Sequence, residues 1–113
     1  MGKMIQSLKS KEFSKVYRDG RSKADACLVL YILENGTAQK RLGISVSKRI
    51  GNSVVRSRVK RIIKEAFRLQ EPNLKDGFDY VWIARGPSKT KKSTEIEISV
   101  RRLAKRMNVW IDQ

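Results

Sequence analysis

One strongly basic, amphipathic stretch, residues 48–69, constrains this chain more than any other feature. At about 100° per residue, its apolar side chains fall on one side of a helix and most of its cations fall on the other. Asn52 is well placed as the N-cap, because its side-chain oxygen can accept a free N–H of the first turn. The apolar set is Val55, Val59, Ile62, Ile63, Ala66 and Phe67, and the cationic set is Arg58, Lys60, Arg61, Lys64 and Arg68. A helix of this length, roughly 25 Å, can follow a phosphate backbone.

The overall charge points to a polyanionic partner. The chain has 113 residues, with 26 Lys and Arg against 11 Asp and Glu, which gives a net charge of +15. We read it as a single domain, 1–113, with residues 1–7 as a flexible or partly vector-derived N-terminus. A polyanion would relieve the positive self-repulsion. Nucleic acid is the first candidate and an acidic membrane surface the second. A merely soluble basic protein is disfavoured, because the charge is concentrated on one helix.

The residue types present argue against catalysis by this chain. Histidine is absent, which removes the commonest general base and the commonest metal ligand. The serines therefore lack a base that could activate them. No cluster suggests zinc, and no recognisable motif binds another cofactor. The single cysteine, Cys27, cannot form an internal disulfide, and no apolar run is long enough to span a membrane. We therefore expect a cytoplasmic protein that does not act at a membrane.

The rest of the chain reads as alternating short helices and strands. A helix is predicted over 10–19, capped by Ser10, and a last helix after Thr94-x-x-Glu97, which has the spacing of a capping box. The predicted strands are 21–25, 27–33, 41–47 and 78–84.

Two of these strands are predicted to form a hairpin. Residues 27–33 are continuously apolar, so we expect a strand buried on both faces. Asn35-Gly36 supplies a turn, and residues 41–47 form the expected return strand. In that strand Gly43, Ser45 and Ser47 share one side, which leaves room for a ligand or another backbone.

Residues 41–68 closely resemble the signature of the bacterial ribonuclease P protein family. The string is RLGISVSKRIGNSVVRSRVKRIIKEAFR, in which a strand, a Gly-Asn cap and an arginine motif follow in order. The family's Arg-Asn-Arg motif corresponds here to Arg56, Ser57 and Arg58. Other features also resemble the family: the helix aromatics Phe13 and Tyr17, the LVLY strand that ends at Tyr31, and Ile83-Ala84-Arg85. The likeness therefore runs from about residue 8 to residue 110.

The resemblance implies an α+β fold. The expected architecture is an αβββαβα sandwich with a mixed four-stranded sheet and a left-handed βαβ crossover through the basic helix. Pattern alone would predict a right-handed crossover, as in about 98% of such connections.

The resemblance also implies a function and two sets of site residues. In this family the RNA subunit removes the 5′ leader of precursor tRNA, with Mg²⁺ held mainly by that RNA. The partners are therefore the catalytic RNA and precursor tRNA, and no obligate protein partner is evident. The expected leader-binding residues are Phe13, Tyr17, Tyr31, Ser45 and Ser47. The expected catalytic-RNA-binding residues are Lys48, Arg49, Asn52, Arg56, Ser57, Arg58, Lys60, Arg61, Lys64 and Arg68.

Two departures and one alternative accompany this assignment. Ser57 replaces the family's asparagine, which affects one side-chain amide contact. Asp25-Ala26 stands where the family commonly has Asn-Arg, so we expect altered leader affinity. The alternative is a ribosomal RNA-binding or ribosome-assembly protein without a hydrolytic role.

Overall fold

A computed structural model describes residues 5–112 as five strands, three α-helices and two short 3₁₀ turns. The predicted αβββαβα order is confirmed, but the sheet has five strands rather than four, because Gln6–Ser7 adds a short strand at one edge. That strand lies within the stretch expected to be flexible, whereas residues 1–4 lie outside the described part. The elements are β1 Gln6–Ser7, α1 Ser10–Asp19, β2 Arg21–Ala24, β3 Leu28–Glu34, β4 Arg41–Ser45, α2 Ser53–Gln70, β5 Phe78–Ala84 and α3 Ser93–Arg106, with 3₁₀ turns at Glu71–Asn73 and Gly86–Thr90.

The predicted β3–β4 hairpin is wrong, because β5 lies between the two strands. The sheet order is β1-β4-β5-β3-β2, in which β5 is antiparallel to β3 and parallel to β4. The expected turn still forms, with Gly36 at φ +69°. The loop between β3 and β4, however, forms hydrogen bonds with Gly77, the residue before β5. Asn35 N–H donates to the Gly77 carbonyl (2.9 Å), and Gly77 N–H donates to the Gln39 carbonyl (3.1 Å).

Helices α2 and α3 cover one face of the sheet and bury the main core. Val59, Ile63 and Phe67 of α2 are buried against Tyr80 and Trp82 of β5, as the apolar stripe predicted. The chain passes from β4 through α2 to β5, which is the expected parallel crossover. Its left-handed sense stays a prediction.

Helix α1 covers only part of the other face. Val16 packs there with Leu8 and Val81 in a second, smaller cluster. A Cβ at Gly20 would lie 2.5 Å from the Val16 carbonyl oxygen and 2.6 Å from that of Ile32, so only glycine lets the end of α1 approach β3 this closely. β3 is therefore fully buried on the α2–α3 face only, and its other side is half-buried. The prediction of a strand buried on both faces is wrong.

Two of the three predicted N-caps, those of α1 and α3, are displaced by one or two residues. The residue at the N-cap is Lys9 in α1 and Lys92 in α3, not Ser10 or Thr94. In each helix the glutamate three residues on accepts the N-cap N–H, so Glu12 and Glu95 replace the expected capping groups.

Candidate nucleic-acid interface

Three aromatic rings form one wall of a shallow cleft on the α1 face. Tyr17 lies between the other two, with its ring centroid 6.2 Å from that of Phe13 and 5.2 Å from that of Tyr31. The structure thus brings the three predicted leader-binding aromatics together. The Tyr17 side chain is 41% exposed, so its ring is accessible for stacking. Phe13 lies over Gly43, where an added Cβ would come within 2.5 Å of the ring.

The cleft floor is a row of small and apolar residues that α1 leaves uncovered. Ala24, Val29, Ile83 and Ser45 are partners across four neighbouring strands, so they share one face of the sheet. Ala24 is exposed and the others are half-buried. Sequence reasoning found Ser45 but missed Val29 and Ile83. Side chains of a strand point alternately to its two faces, so Val29 shares a face with the predicted Tyr31. In the same way, Ile83 shares a face with Val81 of β5. This alternation was the signal that could have identified both residues.

Ser45 also touches the aromatic wall. Burial raises the pKa of Tyr17 above its ordinary value of 10.0, against the opposite effect of a hydrogen bond with Ser45. Ser47 lies beyond the end of β4, and its carbonyl accepts the N–H of Ile50 (3.1 Å). Ser47 is exposed there and belongs to the turn before α2 rather than to the cleft floor.

The turn before α2 exposes two cations, Lys48 and Arg49, to solvent. Ile50 is buried, so it fixes the turn while Lys48 and Arg49 remain exposed. Asn52 is the N-cap, as predicted, and its side-chain oxygen accepts the N–H of Val55 at 3.0 Å. The remaining free N–H groups and the positive end of the helix dipole make this start attractive to phosphate. Lys48 and Arg49 supply neighbouring charge.

The predicted cations of α2 do not form a single row. Lys60 and Lys64 lie on the flank beside the sheet edge, where they line a pocket of about 220 Å³. Arg58 lies about 200° around the helix axis from Lys60. Its guanidinium donates to backbone carbonyls of the 3₁₀ segment after β5.

Three further arginines of α2, Arg56, Arg61 and Arg68, complete the basic surface. Arg61 and Arg68 are exposed on the outer side of α2. Arg61 and Ser57 line an open groove of about 610 Å³ together with Ser53, Val54 and Arg58. Arg56 folds back over the preceding turn, where its Nε donates to the Gly51 carbonyl (3.2 Å).

The pocket beside Lys60 and Lys64 joins the basic helix to the aromatic cleft. Its other lining residues include Phe13 and Gly43 of the cleft and Ile44 of β4. Ile44 lies beyond the two residues of β4 that pair with β1. The cations of α2 and the first aromatic ring therefore face the same space.

The cations of α2 are available to an anion. Elsewhere several cations are committed to internal ion pairs: Lys40 is 2.8 Å from Glu71, and Arg41 is 2.6 Å from Asp79. Within residues 5–112, no such pair forms on the cations of α2. α2 can therefore bind a polyanion without breaking an internal ion pair.

Asp25 contributes to the fold rather than to the cleft. One carboxylate oxygen accepts the N–H groups of Cys27 (2.8 Å) and Leu28 (2.9 Å), and the other accepts the Ser99 hydroxyl and lies 3.3 Å from Arg102. The carboxylate thus joins the β2–β3 connection to α3. The effect of Asp25-Ala26 on leader affinity stays a prediction.

Among the described residues there is neither a cluster that could hold a metal ion nor a helix that could span a membrane. Within residues 5–112, no group of three or more Cys, Asp or Glu side chains is arranged to hold a metal ion. In the same part of the chain, none of the helices combines the length and the apolar character that crossing a membrane requires. The fold and its surface define an RNA-binding protein that offers cations and aromatic rings.

Comparison with known proteins gives the family. A family model described as Ribonuclease P matches residues 3–108. The ribonuclease P protein component of Clostridium novyi (strain NT) is 50% identical over 104 residues, covering 90% of this chain and 92% of its own length. That of Clostridioides difficile (strain 630) is 45% identical over 104 residues, covering 91% of each.

Solved structures agree with the curated relatives. The RNase P protein of Staphylococcus aureus superposes with a TM-score of 0.85 at 34% identity, over 96% of this chain and 99% of that one. The Thermotoga maritima protein gives 0.82 at 26% identity, over 89% and 96%. The chain belongs to the bacterial ribonuclease P protein family. It is a protein component of an endoribonuclease of tRNA 5′ processing, and the ribosomal alternative is not supported.

Proposed function

We propose that this chain binds the catalytic RNA through α2 and the turn before it, and binds the single-stranded 5′ leader of precursor tRNA in the aromatic cleft. The observation that carries the proposal is the pocket shared by Phe13, Lys60 and Lys64. Because two lysines and one ring of the aromatic wall face one space there, two RNA segments bound to the two surfaces would lie side by side. This is the arrangement that leader removal needs.

Binding of the catalytic RNA rests on unpaired cations over a rigid support. α2 is 18 residues long, and its inner side is fixed in the main core. Its exposed cations therefore keep fixed spacings, which favours a structured phosphate backbone over a flexible one. The residues proposed to build this RNA-binding surface, by contact or by support, are Lys48, Arg49, Asn52, Arg56, Ser57, Arg58, Lys60, Arg61, Lys64 and Arg68.

Binding of the leader rests on stacking. Base–aromatic stacking contributes about 1–3 kcal/mol per base and tolerates any sequence, which suits a protein that serves many precursors. Tyr17 and Tyr31 supply the rings, and Phe13 lies where the cleft meets the pocket. Ser45 lies in the floor, and Ser47 lies just outside it. Val29 and Ile83 add an apolar surface for a base or ribose.

The chemistry of cleavage is assigned to the RNA subunit and its Mg²⁺. Metal ions can generate the attacking hydroxide and stabilise the leaving oxygen without a protein base. The described residues of this chain lack a carboxylate cluster suited to Mg²⁺, so no step is placed on them. We place the protein in the cytoplasm, because its lone cysteine suits a reducing compartment.

Reconstitution tests this function directly. The chain is combined with a bacterial ribonuclease P RNA and a precursor tRNA at low Mg²⁺, and cleavage at the mature 5′ end is followed with and without protein. We expect strong stimulation that requires a leader of several nucleotides. Equal cleavage rates with and without the chain would contradict the proposal. Cleavage by the purified chain alone, abolished on replacing one carboxylate by its amide, would also contradict it.

A further inference from the structure

The segment between β5 and α3 is a second ordered basic element beside α2. Its 3₁₀ turn, Gly86–Thr90, contains the buried Ser88, whose hydroxyl donates to the Arg85 carbonyl at 2.6 Å. The Lys91 N–H donates to the Ser88 carbonyl at 3.2 Å. These bonds hold the segment in one conformation, so its side chains have defined positions relative to α2.

Arg58 fastens this segment to α2. Its two terminal nitrogens donate to the carbonyls of Lys89 (3.2 Å) and Lys91 (3.5 Å). A guanidinium can make both bonds because its donors form a planar fork, whereas a lysine ammonium has no such fork. Arg58 therefore uses two donors within the protein, although its side chain is exposed.

The segment adds free positive charge at this point. Lys89 and Lys92 are exposed, and within residues 5–112 neither forms an ion pair. Lys91 differs, because its ammonium lies 3.4 Å from the Glu95 carboxylate. Lys89 and Lys92 are therefore the lysines of this segment that can bind phosphate without breaking an ion pair.

We propose that residues 86–92 form a second phosphate-binding arm for the catalytic RNA, in which Lys89 and Lys92 touch the RNA and Arg58 is a positioning residue that holds the arm against α2. The inference rests on the proposed function, since it assumes that α2 binds this RNA. The alternative is that Arg58 touches phosphate directly and that residues 86–92 only connect β5 to α3.

A double-mutant cycle separates the two possibilities. Binding of a bacterial ribonuclease P RNA is measured against salt for wild type, Lys89→Ala/Lys92→Ala, Arg58→Lys and the triple variant. Removing one cation from a phosphate lowers the slope of log affinity against log salt by roughly 0.7–0.9. The lysine pair should therefore lower it by about twice that amount. The charge-matched control is Lys15→Ala/Lys75→Ala, two exposed lysines outside α2 and the arm that should leave the slope unchanged.

Coupling identifies the role of Arg58. If Arg58 acts by holding the arm, Arg58→Lys weakens binding roughly threefold or more in the wild-type background and much less when the arm lysines are absent. Faster amide hydrogen exchange at residues 89–92 should accompany it in the free protein. Equal weakening in both backgrounds, or a lysine pair that behaves like the control, would overturn the inference.

The two proposals fail in different ways. If wild type does not bind the RNA, the proposed function fails. If wild type binds and Arg61→Ala weakens binding while the arm variant does not, only the inference about the arm fails.

Discussion

The Tyr17 ring meets Tyr31 edge to face, with centroids 5.2 Å apart and an interplanar angle of 80°. One ring belongs to α1 and the other to β3, so the pair ties the helix to the sheet within this wall of the cleft. The edge-to-face arrangement leaves Tyr17 41% exposed while still fixing its orientation.

Removing the Tyr17 ring should weaken leader binding. We expect Tyr17→Ala to reduce affinity for precursor tRNA by about 1–3 kcal/mol, because one stacking surface is removed. Tyr17→Phe keeps the ring and should retain most of the affinity. Holoenzyme binding of precursor and mature tRNA is the measurement. Equal weakening for both RNAs would exclude an interaction of Tyr17 with the leader.

The lysines beside the cleft should act through charge. For Lys60→Ala and for Lys64→Ala we expect weaker binding of the catalytic RNA and a salt slope smaller by roughly 0.7–0.9, because each variant leaves one phosphate without its cation. Salt titrations of the binding constant test this, with Lys75→Ala as the exposed control. A slope equal to that of wild type for both variants would contradict their assignment.

A single methyl group at Gly20 should destabilise the fold. Gly20→Ala places Cβ within 2.6 Å of two backbone carbonyl oxygens, which cannot move without shifting α1 or β3. We expect the free energy of unfolding to fall by roughly 1–3 kcal/mol. Gly86→Ala is the control, since nothing lies within 4 Å of its Cβ. Urea denaturation compares them, and similar midpoints would refute the close approach.

Asp25 should make stability depend on pH at acid values. Burial raises the pKa of this carboxyl, but hydrogen bonds from Ser99, Leu28 and Cys27 and the charge of Arg102 outweigh it, so the pKa lies below its ordinary 3.8. A depressed folded-state pKa adds stability that is present above the unfolded value and is lost as pH falls through the folded one.

The variant Asp25→Asn measures this contribution. At neutral pH we expect it to be less stable by about 1.5–3 kcal/mol, the range for hydrogen bonds to charged groups. The difference from wild type should shrink as pH drops below 3.8. Denaturation of wild type and variant is measured at neutral pH and at pH values below 3.8. The other carboxylates are the same in both proteins, so their contributions cancel in the difference. A difference that is constant with pH would show that the charge is irrelevant.

Local sequence signals predicted the helices and strand segments but not the pairing of the strands. The limits of α2 and its Asn52 cap follow from spacing and from one side chain, both local properties. Asn35-Gly36 also forms a turn, as local chemistry predicts. Nothing local, however, says that Gly77 will enter that turn and bring β5 between two earlier strands. Which strands pair depends on how the edges of all the apolar strands fit one another. A short stretch of sequence does not contain that information.

The same limit applies to the candidate site. The aromatic residues were recognisable through the family resemblance, and the structure brings them together. The floor residues Val29 and Ile83 share a row only because β3 and β5 pair in one register. The bonds from Arg58 to the backbone at positions 89 and 91 join residues 31 and 33 positions apart, so no periodicity could reveal them.

The central place of β5 also governs how the chain is made. Its two neighbours, β3 and β4, leave the ribosome first, and neither pairs with the other. Until residue 84 has emerged, the nascent polypeptide therefore carries two open apolar edges, which are prone to wrong pairing. The basic helix emerges during this interval, so its positive charge can keep nascent chains apart by mutual repulsion before the sheet closes.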